Sequence, residues 1–397
     1  MKHLITTRPR AVVSSGLWAL VLLLVGLLAG CDRKATVVVV EPDYPDERGE
    51  LLGNLDQMLP DVTAYALLDW SRDGKELYYL GRRAPAFSAP QQGVYAFDIA
   101  RRTARLVAED ARWQEVPLPG PGLIGQSADG QNLYLYAGNR PLGGSPSSFH
   151  FYQVPLRRPG SPTVFAGPEA PGASGQQPLV CADGTWLGIG HRPDSVRLYE
   201  LGTAQKLALA GRGLQALSPD GRQVLVRNGN VNEWDVVDRG NFSRTVLRMD
   251  AFPTNAVGVS LLYPEFWGPA GFSMLYKQLD PQERTQLQLR ALAQQTSTLL
   301  WTGGTPNERL KDSPVLAHDG RRAAFWTFND WRTGYKERHS TTLYVADLAR
   351  AQTVAVASLT RTSAAEERGG VNWTVIAYDN SRLAYTFGNK LYLKDLP

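Results

Sequence analysis

The chain is predicted to be all-β, a β-propeller of seven four-stranded blades, and three features of its 397 residues predict this. A strand-like run leads into a polar turn and a second strand-like run follows, and this plan occurs seven times. The copies lie about 50 residues apart, the length that four short strands and their connections occupy. Amphipathic helix patterns are almost absent, while Tyr, Trp, Val and Leu fill the runs, as pleated surfaces favour. Six or eight blades also fit, because the fifth copy departs from the plan.

The turns come first. They are Ser71-Arg72-Asp73-Gly74, Ser127-Ala128-Asp129-Gly130, Cys181-Ala182-Asp183-Gly184, Ser218-Pro219-Asp220-Gly221 and His318-Asp319-Gly320, with degenerate copies at Gly268-Pro269-Ala270-Gly271 and Asp379-Asn380-Ser381. Gly or its equivalent falls at 74, 130, 184, 221, 271, 320 and 381, at intervals of 56, 54, 37, 50, 49 and 61. Asp-Gly supplies the positive φ of a tight hairpin, and the Ser or Pro-Asp ahead of it caps the turn. His318 is read as filling the slot held by Ser or Cys elsewhere, so it is a turn cap before it is a catalyst. Apolar strands follow, such as Leu77 to Leu80, Leu133 to Tyr136, Val224 to Val226 and Ala324 to Trp326. A third strand often ends in an acid, as at Asp98, Glu200, Asp347 and Asp395.

The fifth copy replaces the usual turn with Tyr263-Pro264-Glu265-Phe266-Trp267-Gly268, and Trp267 is expected in the core. The last copy stops at Pro397 with three strands. An N-terminal strand is expected to complete it and remove an open edge. The β-branched run Thr36-Val37-Val38-Val39-Val40 is the segment assigned to that place, with Glu41 to Gly49 as a surface connector. Counting from Cys31, closure there leaves about four residues ahead of the fold, a reach of roughly 14 Å.

The N-terminus reads as a targeting segment. Lys2, Arg8 and Arg10 precede an apolar stretch from Ala11 to Leu27, and Leu28-Ala29-Gly30-Cys31 follows. This order is that of a bacterial secretory signal. With Cys directly after Leu-Ala-Gly it resembles a lipobox, which implies acylation at Cys31 as the first mature residue. The organisation is then a signal over 1–30, a lipidated N-terminus and linker over 31–60, and the propeller over 61–397. Asp32 resembles a signal for retention in the inner membrane. Without residues 1–30 the formal charge falls from +4 to +1, since three bases and no acid leave. The basic balance is therefore no argument for nucleic acid. The other cysteine, Cys181, has no intramolecular partner if Cys31 carries lipid, and it is expected to be a buried small side chain.

Residues that carry chemistry are sparse. The five histidines, His3, His150, His191, His318 and His339, show no metal-ligand spacing in sequence. His150 reads as a strand residue. There is no Gly-x-Ser-x-Gly elbow and no P-loop, and the Asp-Gly turns lack the terminal Glu of a calcium loop. No catalytic residue, metal or cofactor is assigned. The segment Phe328 to His339 is read as a loop too long for a hairpin. Its Trp331, Arg332 and Tyr335 are of the types that dominate binding hot spots, and they are the expected partner-binding residues.

Ser218 to Val226 and Leu343 to Leu348 carry a resemblance. Ser-Pro-Asp-Gly before an apolar strand, then Leu-Tyr-x-x-Asp-Leu, resembles the repeat of TolB-type propellers and of the propeller domains of prolyl oligopeptidases. It extends over roughly residues 60 to 397. With the lipobox it implies a monomeric lipoprotein of the bacterial envelope, on the periplasmic face or the cell surface, whose propeller serves protein interaction or scaffolding for envelope proteins or glycans. The alternative is a small-ligand or glycan binder, or an enzyme of lyase or glycosidase type, working in the axial funnel. A cluster of His, Arg and Asp or Glu facing the axis would favour the alternative.

Overall fold

The computed structural model describes residues 48–54, 62–83, 91–109, 122–139, 148–157, 162–169, 178–192, 195–203, 205–210, 213–227, 232–249, 257–262, 265–311, 314–333, 336–361, 373–387 and 390–397. These form seven antiparallel sheets and no α-helix. The first blade has strands Val62–Trp70, Glu76–Arg83, Gln91–Asp98 and Thr103–Glu109 in that spatial order. Blades two to six occupy 122–169, 179–210, 214–248, 257–302 and 308–361. The seventh combines Thr374–Ile376, Arg382–Phe387 and Lys390–Asp395 with Glu50–Asn54. First strands of neighbouring blades touch, including those of blades seven and one, so they surround the axis of a closed ring.

The apolar residues form seven clusters, and each fills one interface between consecutive blades. This explains why second strands read as continuous apolar runs. Leu77 and Tyr79 face blade seven, while Tyr78 and Leu80 face blade two. Outer strands meet solvent and alternate, as Thr103–Glu109 does. Indole N–H groups tie blades as well. Trp70 Nε1 donates to Val375 O at 3.1 Å, and Trp326 Nε1 to Thr374 Oγ1 at 2.8 Å.

The turns between first and second strands, here the hub turns, share one hydrogen-bond plan. Gly74, Gly130, Gly184, Gly221 and Gly320 have φ between +64° and +76° and donate back to residue 71, 127, 181, 218 or 317. In the seventh blade Asn380, with φ +60°, donates to Ala377. Two turns are therefore phased differently from the sequence reading. Asn380, not Ser381, is the Gly equivalent, and Ala317, not His318, holds the Ser slot. His318 is equivalent to Arg72, Ala128, Ala182, Pro219 and Tyr378. Blade five uses a tighter hairpin, with Gly268 opposite Gly271. Trp267 there is partly buried and meets Phe272 edge to face at 4.9 Å. The acid that ends a third strand caps the next turn: Asp98 accepts from Arg101 N at 2.9 Å and Asp238 from Gly240 N at 2.8 Å.

An N-terminal strand does close the ring, but the segment is Glu50–Asn54, paired antiparallel with Lys390–Asp395. Thr36 to Val40 lie outside the described residues. Glu50–Asn54 fits because Leu52 is the buried residue of the strand and joins the cluster between blades seven and one. Gly49, at φ +74°, lies against Leu393 O, where a Cβ would collide. Arg102 of blade one holds Glu50 at 2.8 Å. The register sets Glu50 against Leu393, so the chain enters the ring at the hub-turn end.

The segment Phe328 to His339 is not a long loop. Arg322–Thr333 and Lys336–Asp347 form a 12-residue ladder, whereas second strands elsewhere have 5 to 9 residues. Trp331 stands opposite Arg338, and Arg332 opposite Glu337. At about 3.3 Å per residue the surplus carries this hairpin roughly 10 Å further toward the end opposite the hub turns.

Deleting residues 50–54 should expose the edge of Lys390–Asp395 and open the Leu52 site. We expect loss of a single cooperative thermal transition and aggregation of the purified chain, measured by calorimetry and light scattering. Unchanged unfolding would exclude this strand as the closing element.

Candidate functional site

Arg72, His318 and Tyr378, each the second residue of a hub turn, meet one another across blades. His318 and Tyr378, on blades six and seven, stack at 3.7 Å with planes 3° apart. The Arg72 guanidinium of blade one lies over the Tyr378 ring, 4.7 Å from its centre. Blades two and three have Ala128 and Ala182 at this position, and Arg72 extends into the room they leave. Its Nη2 donates to Ala182 O at 3.1 Å and Gln126 O at 3.5 Å.

Beneath this stack is Asp69, its side chain 3% exposed. Oδ1 accepts from Trp70 N at 2.8 Å and from His318 Nε2 at 2.9 Å. Oδ2 accepts from Tyr378 OH at 2.9 Å and from Gln126 Nε2 at 3.2 Å. Gln126 also donates to Trp70 O. One carboxylate thus gathers donors from blades one, two, six and seven. Burial, then the Asp69 charge, pushes the Tyr378 hydroxyl well above its ordinary pKa, so it remains a donor. Nε2 of His318 is committed to Asp69, and no described residue holds Nδ1. Arg72 Nε, Gln126 Oε1 and Asn380 Oδ1 are buried without a hydrogen-bond partner among the described residues.

This is the cluster of Asp, His and Arg at the axis that sequence spacing did not reveal. An imidazole oriented by a carboxylate beside a tyrosine is equipped for proton transfer. Asp69 itself has four donors, so its first effect is to bind the hub together. The signal available in the sequence was the second turn position, large at Arg72, His318 and Tyr378 and small at Ala128, Ala182 and Pro219.

A second feature lies at the opposite end, between blades five and six. A partly enclosed groove of about 480 Å³ is lined by Lys277 and Arg309, with Phe328 on its wall. In these two blades the first strand is divided. Val257–Leu261 and Phe266–Gly268 both pair with Gly271–Leu279, while Glu308–Leu310 and Val315–Leu316 both pair with Arg322–Thr333.

Of the residues singled out in the sequence, Cys31 and Tyr335 lie outside the described residues. Trp331 and Arg332 occupy the long ladder of blade six. His150 and His191 lie on strands of blades two and three, and His339 stands opposite Asp330. No group of three or more His, Cys, Asp or Glu among the described residues could hold a metal ion. Cys181 is more than a small apolar side chain. Its Sγ takes the place of a turn serine, donating to Asp183 Oδ1 at 2.9 Å and accepting from Trp186 N at 3.1 Å. Burial, then Asp183, pushes the thiol up to about 11. In sister turns the Ser127 and Ser218 hydroxyls hold Asp129 and Asp220 below the usual carboxylate range.

No protein-family model and no curated protein matches the sequence. Solved structures do match the fold. An oligogalacturonate lyase in complex with manganese superposes with a TM-score of 0.53 at 15% identity, over 89% of this chain and 95% of that one. An oligogalacturonate lyase from Vibrio parahaemolyticus gives 0.54 at 13%, over 86% and 93%. A prolyl endopeptidase gives 0.50 at 12% over 86% of this chain, which spans 51% of that protein. At these identities the likeness is one of fold: a seven-bladed propeller.

Two outcomes test the hub. Asp69→Ala leaves four donors without their acceptor and should cost about 3–5 kcal/mol, whereas Tyr378→Phe removes one bond and should cost about 1 kcal/mol. Denaturant titration measures both, and equal small effects would contradict a hub role. Cys181 should resist a disulfide reagent at pH 8 in the folded protein and react on unfolding. Because its folded pKa is raised, the stability linked to the neutral thiol is present below pH 9 and declines as pH rises toward 11.

Proposed function

We propose that the chain is an exported lipoprotein, anchored through Cys31, whose TolB-like propeller binds an envelope protein with the end opposite its hub turns. One observation carries this reading. The chain enters the ring at Glu50 on the hub-turn end, while the long ladder with Trp331 and Arg332 and the groove by Lys277 lie at the other end. Eighteen residues separate Cys31 from Glu50, a reach of up to about 63 Å, so this anchor is far longer than closure by Thr36 to Val40 would leave. The partner end is then free to face away from the bilayer.

A second reading draws on the Asp69–His318 pair and on the fold shared with oligogalacturonate lyases: acid–base chemistry on an acidic sugar chain at the axis. The four donors on Asp69 favour a structural duty for that carboxylate, and the binding reading is preferred.

The test uses the full chain in a bacterial host. Wild type should fractionate with membranes and carry lipid on Cys31 by mass spectrometry, and Cys31→Ala should be released. The double variant Trp331→Ala, Arg332→Ala should lose cross-linked envelope partners at unchanged melting temperature. Unmodified Cys31, or partners retained by the double variant, would overturn the proposal. Depolymerisation of oligogalacturonate, abolished by His318→Ala, would favour the second reading.

A further inference from the structure

We propose that the groove between blades five and six binds an extended acidic peptide segment of the partner protein; this rests on the binding reading above and names the chemistry of its partner. Two cations from different blades line the groove. Lys277 is on the second strand of blade five, and Arg309 is on the first strand of blade six. Neither forms an ion pair or hydrogen bond among the described residues, whereas Arg105, Arg222, Arg244, Arg248 and Arg284 each hold a carboxylate. Glu283 is the one acid on the lining, so the groove keeps a net positive charge.

Part of its lining comes from departures from the repeat. Gly258 belongs to the added segment of the first strand of blade five, and Asn307 and Arg309 flank or form the added segment of blade six. Phe328 belongs to the long ladder, on the strand that continues to Trp331. Residues that break an otherwise uniform pattern and meet at one place mark function more often than chance would. Asn307 supplies an amide for a peptide group, Phe328 an apolar face, and the two cations a place for a carboxylate. Small-molecule sites enclose most of their ligand. This groove is only partly enclosed, which suits a segment of a larger chain lying in it.

Selection from a random hexapeptide display library on the purified propeller tests this. Enriched peptides should carry Asp or Glu beside an apolar residue. For a selected peptide, Lys277→Ala plus Arg309→Ala should weaken binding by about a hundredfold or more, since two charge-assisted bonds are lost. Glu283→Gln should tighten it, and the melting temperature should not move. Peptides without acids, no enrichment, affinity untouched by the double variant, or full competition by free glutamate would overturn the proposal. If envelope partners are still cross-linked in those cases, the binding reading stands and only the acidic segment falls; if cross-linking to wild type also fails, both fall.

Discussion

Each blade of this protein buries both faces of its sheet, and that constraint governs everything else. A sheet with one wet face could fold alone, but a sheet such as Leu77 to Leu80, apolar on both sides, needs a neighbour on each. Seven interfaces for seven blades is the solution that leaves no face over. The join between the last blade and the first is therefore not an ornament of the fold. Its cluster, containing Trp70, Tyr79, Tyr95 and Leu391, is of the same kind as the others and is completed by Leu52.

The repeat was legible because turn chemistry is local. Asp-Gly at a fixed spacing needs no tertiary information to be read, and neither does a strand that is apolar throughout. What was misread depended on phase or on partners. Ala317 and Ala377 hide the Ser slot of two turns, so the pattern in the sequence is displaced by one residue at His318 and at Ser381. Thr36 to Val40 look like a strand by propensity, but a closing strand is chosen by what it can bury, and Glu50–Asn54 combines Leu52 with an ion pair to Arg102. Phe328 to His339 reads as a loop in the sequence, whereas cross-strand pairing up to Thr333 and Lys336 makes it part of a ladder.

The candidate site was the least legible part. Asp69, Gln126, His318 and Tyr378 lie far apart in sequence and meet only because a ring brings equivalent turn positions to one axis. The same geometry explains why the cluster is lopsided. One buried acid holds His318 and Tyr378 of blades six and seven, and Arg72 of blade one, lying over Tyr378, reaches toward the small residues of blades two and three.

The closing strand also imposes an order of events. Glu50–Asn54 precedes every blade in the sequence, yet its partner Lys390–Asp395 is the final strand of the seventh blade. Whatever the earlier blades do as they emerge, this strand must wait unpaired until more than three hundred residues have followed it. Pairings so distant along a chain are slow to form, because loop-closure entropy is lost before any contact repays it. The ring is thereby committed at a single late step, and until then the nascent protein exposes a strand that other chains could capture.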